Sequence, residues 1–165
     1  MADEIERRFL VKSLGKDMPA PKQKIQIEQG YWELIDAAKS LRIRICDGQL
    51  AFLTTKSGKG IKREEIEIRA EDVCGYLLDD VRTFYNRCDH KLQKERWLVD
   101  GWEIDIFNPP LQGVIVAERK LRHINEEVSV PIWLEGAIEV TATFPSPRLA
   151  KIASALRAGK EKSAK

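Results

Sequence analysis

Charged residues recur at every second position in one strand-length segment after another. Glu4, Glu6 and Arg8 are spaced this way, as are Arg42 and Arg44, and Arg63, Glu65 and Glu67. Lys94 and Arg96, Glu103 and Asp105, and Glu118 and Lys120 repeat the spacing. Apolar residues lie between them: Ile5, Ile43, Ile45, Ile66, Ile68, Trp97, Trp102, Ile104, Ala117 and Leu121. In an extended chain successive side chains point to opposite faces, so i and i+2 share a face about 6.6–6.8 Å apart. The pattern predicts antiparallel strands with one charged and one apolar face. With Lys56 added, the charged face carries eight basic and seven acidic residues.

A wet outer face explains the alternation, but not why like charges stack on strand after strand. Near neighbours of one sign repel unless an opposite charge lies between or across from them. Two arrangements satisfy the pattern. In one, an open sheet turns its charged face to solvent. In the other, the sheet closes into a barrel with the charges inward, and helices cover the apolar outside. Such a lumen could hold divalent cations on its carboxylates and phosphate on its Arg and Lys. Alternation alone does not choose between them.

The strands are predicted over 4–12, 24–32, 40–46, 50–56, 62–68, 90–99, 102–107 and 113–121. Ser57-Gly58-Lys59-Gly60 and Asp100-Gly101 supply turns, and Pro109-Pro110 breaks the chain. Helical spacing takes over at 70–87, with Val73, Leu77, Leu78, Val81 and Phe84 as its apolar stripe. A second helix is predicted over 148–158, and a Lys-rich tail from Gly159 to Lys165 is expected to fray. The stretch 122–145, punctuated by Pro131 and Pro145, gives no clear period. The 165 residues read as one α+β domain over 1–158 followed by the basic tail 159–165.

Several function classes drop out. Lys and Arg total 28 against 26 Asp and Glu, which is not the balance of a strongly basic nucleic-acid binder. Cys46, Cys74 and Cys88 form no C-x-x-C pair, so neither a disulfide framework nor a thiolate zinc site is expected. No apolar signal region or membrane-length run occurs, and a cytoplasmic protein is expected. His90 and His123 read as surface residues, and no Ser-His-Asp or Cys-His arrangement competes for a catalytic role.

Glu4-Ile5-Glu6-Arg7-Arg8 resembles the E-x-E-x-K signature of the CYTH family, the triphosphate tunnel metalloenzymes. The resemblance continues in order through Ile27-Glu28-Gln29-Gly30-Tyr31, Leu41-Arg42-Ile43-Arg44, Lys56, and Arg63-x-Glu65-x-Glu67. Lys94-x-Arg96-Trp97, Trp102-Glu103-Ile104-Asp105 and Ala117-Glu118 complete the series. It implies a closed or nearly closed antiparallel barrel of about eight strands with flanking helices, forming a tunnel for triphosphate and divalent metal. It implies metal-dependent hydrolysis of inorganic triphosphate or a related compound. The alternatives are a class IV-type adenylate cyclase and a non-catalytic triphosphate- or nucleotide-binding tunnel.

Carried over by position, Glu4, Glu6, Asp105 and Glu118 would hold Mg²⁺ or Mn²⁺, and Glu4, Glu6 and Arg8 would carry catalysis. Arg8, Arg42, Arg44, Lys56, Lys94, Arg96 and Lys120 would grip phosphates. Arg63, Glu65, Glu67 and Glu103 would orient these groups, and Tyr31 would line the wall. The implied partner is a small triphosphate, with no nucleic acid or membrane. A homodimer is compatible with the family, although no apolar stripe compels one.

Two positions depart from the family pattern. Arg8 replaces the lysine of the first motif, which still clamps phosphate through a bidentate fork. Lys120 stands where a second glutamate usually follows Glu118. Lys120 could contact phosphate along the tunnel in a one-metal enzyme, face outward on a shifted strand, or mark a tunnel that binds without hydrolysing. The segment Phe144-Pro145-Ser146-Pro147-Arg148 also differs from the family's usual Tyr/Asn-rich ending.

Overall fold

The strands form where the alternation places them. The computed structural model describes residues 2–33, 39–58, 61–72 and 78–163. It begins with β1 (Ala2–Val11), β2 (Ser13–Leu14), β3 (Gln23–Trp32), β4 (Lys39–Cys46), β5 (Leu50–Ser57) and β6 (Lys62–Arg69). A 3₁₀ turn at Ala70–Asp72 precedes α1 (Leu78–Asn86). Then come β7 (His90–Val99), β8 (Trp102–Phe107), β9 (Ile115–Lys120), β10 (Leu134–Glu135), β11 (Ile138–Glu139) and α2 (Ser146–Ser163). Asp100 and Gly101 take positive φ of 46° and 76°. That conformation matches the twist of flanking strands in a tight hairpin, here the one joining β7 to β8.

The ring closes. β9 pairs back onto β1, with Glu6 opposite Lys120 and Val11 opposite Ile115. Eight antiparallel strands therefore run β1-β6-β5-β4-β3-β7-β8-β9 and return to β1. Closure decides which face is inside. Glu6, Lys94, Asp105 and Glu118 are only 2, 1, 0 and 4% exposed, so the charged face lines the lumen.

The apolar outside is covered by more than helices. α1 packs Val81 and Tyr85, with Cys88 just beyond it, over Ile43 and Ile45. On the opposite wall, Phe9, Val11, Trp102, Ile104 and Ala117 lie under Trp133, Leu134, Leu14, Met18 and Val128. These come from short strands and irregular connections. α2 has another task. Its Leu149, Ala150 and Ala153 pack against Tyr31, Leu92, Phe107 and Val116. Register puts those four on the inner face, with Leu92 opposite Gln29, Phe107 opposite Lys94, and Val116 opposite Asp105. α2 thus stoppers one end of the lumen with an apolar plug.

Three expectations change. Of the predicted first helix, Val73, Cys74 and Leu77 fall outside the described residues, as do Lys59, Gly60, Ala164 and Lys165. Phe84 is 37% exposed, while Val81 and Tyr85 form the buried face, because α1 meets the sheet where Cys88 docks on β3. α2 continues to Ser163, past the predicted end. The Ala and Lys residues there favour helix, and Arg157 Nη1 donates to the Lys91 carbonyl at 2.9 Å. His90 is not a surface imidazole, since both ring nitrogens are buried without a hydrogen-bond partner; His123 is exposed. Among the described residues, no helix is long and apolar enough to cross a membrane.

Gly30 of β3 lies against Cys88 and against Tyr85 of α1. A Cβ there would lie 2.5 Å from Cys88 Sγ, 2.9 Å from Cys88 Cβ and 3.1 Å from Tyr85 Cδ2. Gly30→Ala is expected to lower the unfolding free energy by about 1–3 kcal/mol through overpacking. Urea denaturation should show the midpoint falling at an unchanged slope.

Candidate active site

Eight strands turning one charged face inward gather the predicted residues around a single space. The lumen holds a cavity of about 60 Å³. Its wall includes Glu4, Glu6, Arg8, Arg42, Arg44, Lys56, Glu65, Glu67, Lys94, Arg96, Glu103, Glu118 and Lys120. Of the other residues predicted for the site, Arg63 and Tyr31 line the adjoining space toward α2. Asp105 alone lines neither cavity.

The charges form a connected network. On one wall, Glu67 accepts from Arg42 at 3.0 Å and from Arg44 at 2.6 Å. Thr54 Oγ1 donates to the same carboxylate at 2.8 Å. Lys56 bridges Glu4 and Glu65, the latter at 2.9 Å. Arg63 contacts Glu6 closely and lies 3.6 Å from Glu4. Arg8 reaches Glu118 through Nη2 and comes within 3.4 Å of Glu6 through Nε. On the far wall, Arg96 grips Asp105 with two 2.7 Å bonds, from Nε to Oδ1 and from Nη2 to Oδ2. Lys94 Nζ takes the remaining reach of Oδ2. Arg96 extends to Glu118 at 3.1 Å and to Glu103.

Two of these placements bear directly on the sequence reading. Asp105 is fully buried and both its oxygens are held by Lys94 and Arg96, so it anchors two cations from behind the wall. Lys120 stands opposite Glu6 in the ladder and therefore faces inward on an unshifted strand. Its side chain is 62% exposed with Nζ 3.6 Å from Glu103, which places it at the rim.

Electrostatics separates the carboxylates. Burial would raise Glu118, but Arg8, Arg96 and Lys94 outweigh it and hold the group well below the usual carboxylate range. Glu6 moves the other way, raised by burial and by the charges of Glu118 and Glu4 against the opposing pull of Arg8 and Arg63. Glu67 is lowered because Arg44, Thr54 and Arg42 overcome its burial. Burial brings Lys94 down to about 8 despite Asp105 beside it.

The donors are not all used. The Nε atoms of Arg8, Arg42, Arg44 and Arg63 are buried with no hydrogen-bond partner. An orphaned buried donor costs free energy, and a charged one more. Arg8, Arg42 and Arg44 line the lumen cavity and Arg63 the space adjoining it, a set of cations that suits an anion bearing many oxygens. For a divalent cation, Glu4, Glu6 and Glu118 offer hard oxygen ligands. Among the described residues no three acidic, His or Cys side chains converge as a preformed metal cluster, because each of these carboxylates is held by Lys56, Arg63 or Arg8. The donor chemistry fits a cation, and the repulsion that Glu118 and Glu4 impose on Glu6 is what a cation would relieve.

Sequence reasoning missed Gln29, Thr54 and Ser146, which are 1, 1 and 6% exposed. Thr54 falls two residues before Lys56, so strict alternation would have found it. Ser146 carries no such signal, since it reaches the lumen from the first turn of α2.

No family model matches the chain. Over 145 residues it is 30% identical to the inorganic triphosphatase of Acetivibrio thermocellus, spanning 81% of this chain and 84% of that protein. A crystallised inorganic triphosphatase shares the fold with a TM-score of 0.57 at 24% identity, covering 91% of this chain and 97% of the other. A Pyrococcus horikoshii OT3 protein of solved structure matches with a TM-score of 0.53 at 22% identity, covering 73 and 78% of the two chains.

Asp105→Asn tests the anchoring role. Removing one partner of a fully buried ion pair strands the others, so the variant is expected to lose about 3–5 kcal/mol of stability. Denaturation in EDTA keeps any metal contribution out of the measurement. A loss within about 0.5 kcal/mol, the range of an ordinary surface change, would refute the anchor.

Proposed function

The chain belongs to the CYTH family of triphosphate tunnel metalloenzymes, and on that premise we propose that it hydrolyses inorganic triphosphate in its lumen with the aid of Mg²⁺ or Mn²⁺. The observation that carries this reading is a lumen cavity lined by Arg8, Arg42, Arg44, Lys56, Lys94 and Arg96 together with carboxylates, where the Nε atoms of Arg8, Arg42 and Arg44 are buried with no hydrogen-bond partner. The curated relative, an inorganic triphosphatase, supports it.

Phosphoanhydride hydrolysis depends mainly on positioning and on neutralising charge. Arg42 and Arg44 are each held through Nη2 by Glu67, and their Nε donors, which make no hydrogen bond within the protein, would serve phosphate oxygens. Arg96 and Lys94, fixed by Asp105, face the opposite side of the chain. Glu4, Glu6 and Glu118 would hold the divalent ion, and Asp105 leaves the ligand set named from sequence. When bound, that ion supplies charge screening and a lowered pKa for water. Lys56, Arg63 and Arg8, which now neutralise those carboxylates, would turn to the phosphates. The lumen cations thus exchange one anionic partner for another without ever being unpaired. Glu65 and Glu103 steady Lys56 and Arg96, and Tyr31 closes the wall beside α2. Lys120 at the rim meets Glu103, and this favours contact with an entering phosphate over loss of the interior site.

Phosphate release from tripolyphosphate, thiamine triphosphate and ATP, each with Mg²⁺, Mn²⁺ or EDTA, tests the proposal. Release from tripolyphosphate should require metal, and Glu6→Gln should lower it on the order of 100-fold while the circular dichroism spectrum is kept. Unchanged turnover in Glu6→Gln would remove the site assignment. Cyclic AMP from ATP would make the chain a cyclase, and tight binding without release would make it a receptor.

A further inference from the structure

Among the described residues, Arg8 is the lumen residue held on both its backbone and its side chain by the segment that leads into α2. At this point of β1 the β6 ladder has ended, its last register pair being Ile5 with Lys62. The chain at Val140–Ser146 takes its place. Val140 N donates to the Arg8 carbonyl at 2.8 Å, and Arg8 N donates to Thr141 Oγ1 at 3.0 Å. The guanidinium continues the pattern. Nη1 donates to the Phe144 carbonyl at 3.0 Å and Nη2 to Ser146 Oγ at 2.9 Å, while Nη2 also meets Glu118.

We propose that Ser146 and the Phe144 carbonyl are positioning groups for Arg8, aiming its guanidinium at the triphosphate and tying the seating of α2 to the grip on substrate. The proposal rests on the hydrolytic reading above. Both outer arms of the fork are occupied, so the plane of the guanidinium is fixed, and its remaining donor, Nε, is buried without a hydrogen bond, 3.4 Å from the lumen carboxylate of Glu6. Without the segment, only Glu118 and Glu6 would set that plane, and these are the carboxylates expected to change partners. A lysine offers its three donors from one freely rotating ammonium, whereas the guanidinium spreads its donors over separate nitrogens in a rigid plane, so that holding Nη1 and Nη2 also sets where Nε lies. Arg8 in place of the lysine is therefore matched by the altered segment Phe144 to Arg148 at the other end of the chain.

The segment is itself firm. Thr143 N and Phe144 N both donate to the Val140 carbonyl at 3.0 Å, and Arg148 Nη1 donates to the Thr143 carbonyl at 2.8 Å. One turn further on, Leu149, Ala150 and Ala153 are buried in the plug. A shift of α2 along the lumen must carry Ser146 with it.

The test compares wild type, Ser146→Ala and Ser146→Thr in steady-state tripolyphosphate hydrolysis, well below their melting temperatures. Ser146→Ala is expected to lower kcat about 10-fold with KM changed less than about 3-fold, as for a group felt mainly in the transition state. Ser146→Thr, which keeps the hydroxyl, should recover most of kcat. A Ser146→Ala enzyme with a lower melting temperature but wild-type kcat would show a merely structural bond and overturn the proposal. If the wild type releases no phosphate, that failure belongs to the hydrolytic reading. Calorimetry with tripolyphosphate then decides: about 10-fold weaker binding by Ser146→Ala, recovered by Ser146→Thr, upholds the positioning role, and equal affinities overturn it.

Discussion

A closed ring of alternating strands leaves side chains two destinations, and in this barrel the charged set goes inward. Moving charges out of water is costly, with an effective penalty of several kcal/mol for each isolated ion in a protein interior. The lumen is therefore tolerable only as a network in which every carboxylate has a cation in reach. That requirement explains the bidentate clasp of Arg96 on Asp105, the sharing of Lys56 between Glu4 and Glu65, and the double use of Glu67 by Arg42 and Arg44. Even so, burial leaves Lys94 at about 8, so the compensation is incomplete where the wall is driest.

Within the network some pairs are fixtures and others are exchangeable. Asp105 is enclosed with Lys94 and Arg96, and no ligand can reach it without displacing them. Glu4, Glu6 and Glu118 line the open cavity, their partners Lys56 and Arg8 line it too, and Arg63 lines the space adjoining it. A metal-laden polyanion entering this space brings both signs of charge, so carboxylates and cations can each find a new partner in one event. The plug formed by α2 keeps water from one end, which strengthens every such interaction by lowering the local dielectric response.

Much of this was legible because a β-strand has an exact period of two. Once the charged positions were assigned to one face, the lumen residues from Glu4 to Lys120 followed, and the order of motifs fixed the barrel. What alternation cannot report is depth. Asp105 and Glu103 share a face and a spacing, yet the first is sealed and the second is 20% exposed at the side chain. That difference arises from how far each strand runs toward the plug, which is a property of the closed ring. Helix roles were similarly hidden: the apolar stripe of α2 reads the same whether it covers an outer wall or stops a lumen. Ser146 was invisible for a stronger reason, since its partner Arg8 lies at the opposite end of the chain.

The fold itself does not require the charges. A few residues along the same strands, Leu92, Phe107 and Val116 fill the lumen with an ordinary apolar core beneath α2. The strands therefore close equally well around hydrocarbon, and replacing buried ion pairs by well-packed apolar side chains is often neutral or stabilising. A sequence selected only for a stable barrel could have extended that core to the other end. Here the apolar filling stops at Lys94, Asp105 and Glu118, and beyond them the inner face carries Glu4, Glu6, Arg63, Glu65, Glu103 and Lys120. Retaining so many costly charges, with Nε donors left over on Arg8, Arg42 and Arg44 at the cavity, makes physical sense if a highly charged guest completes the pairing that the protein leaves open.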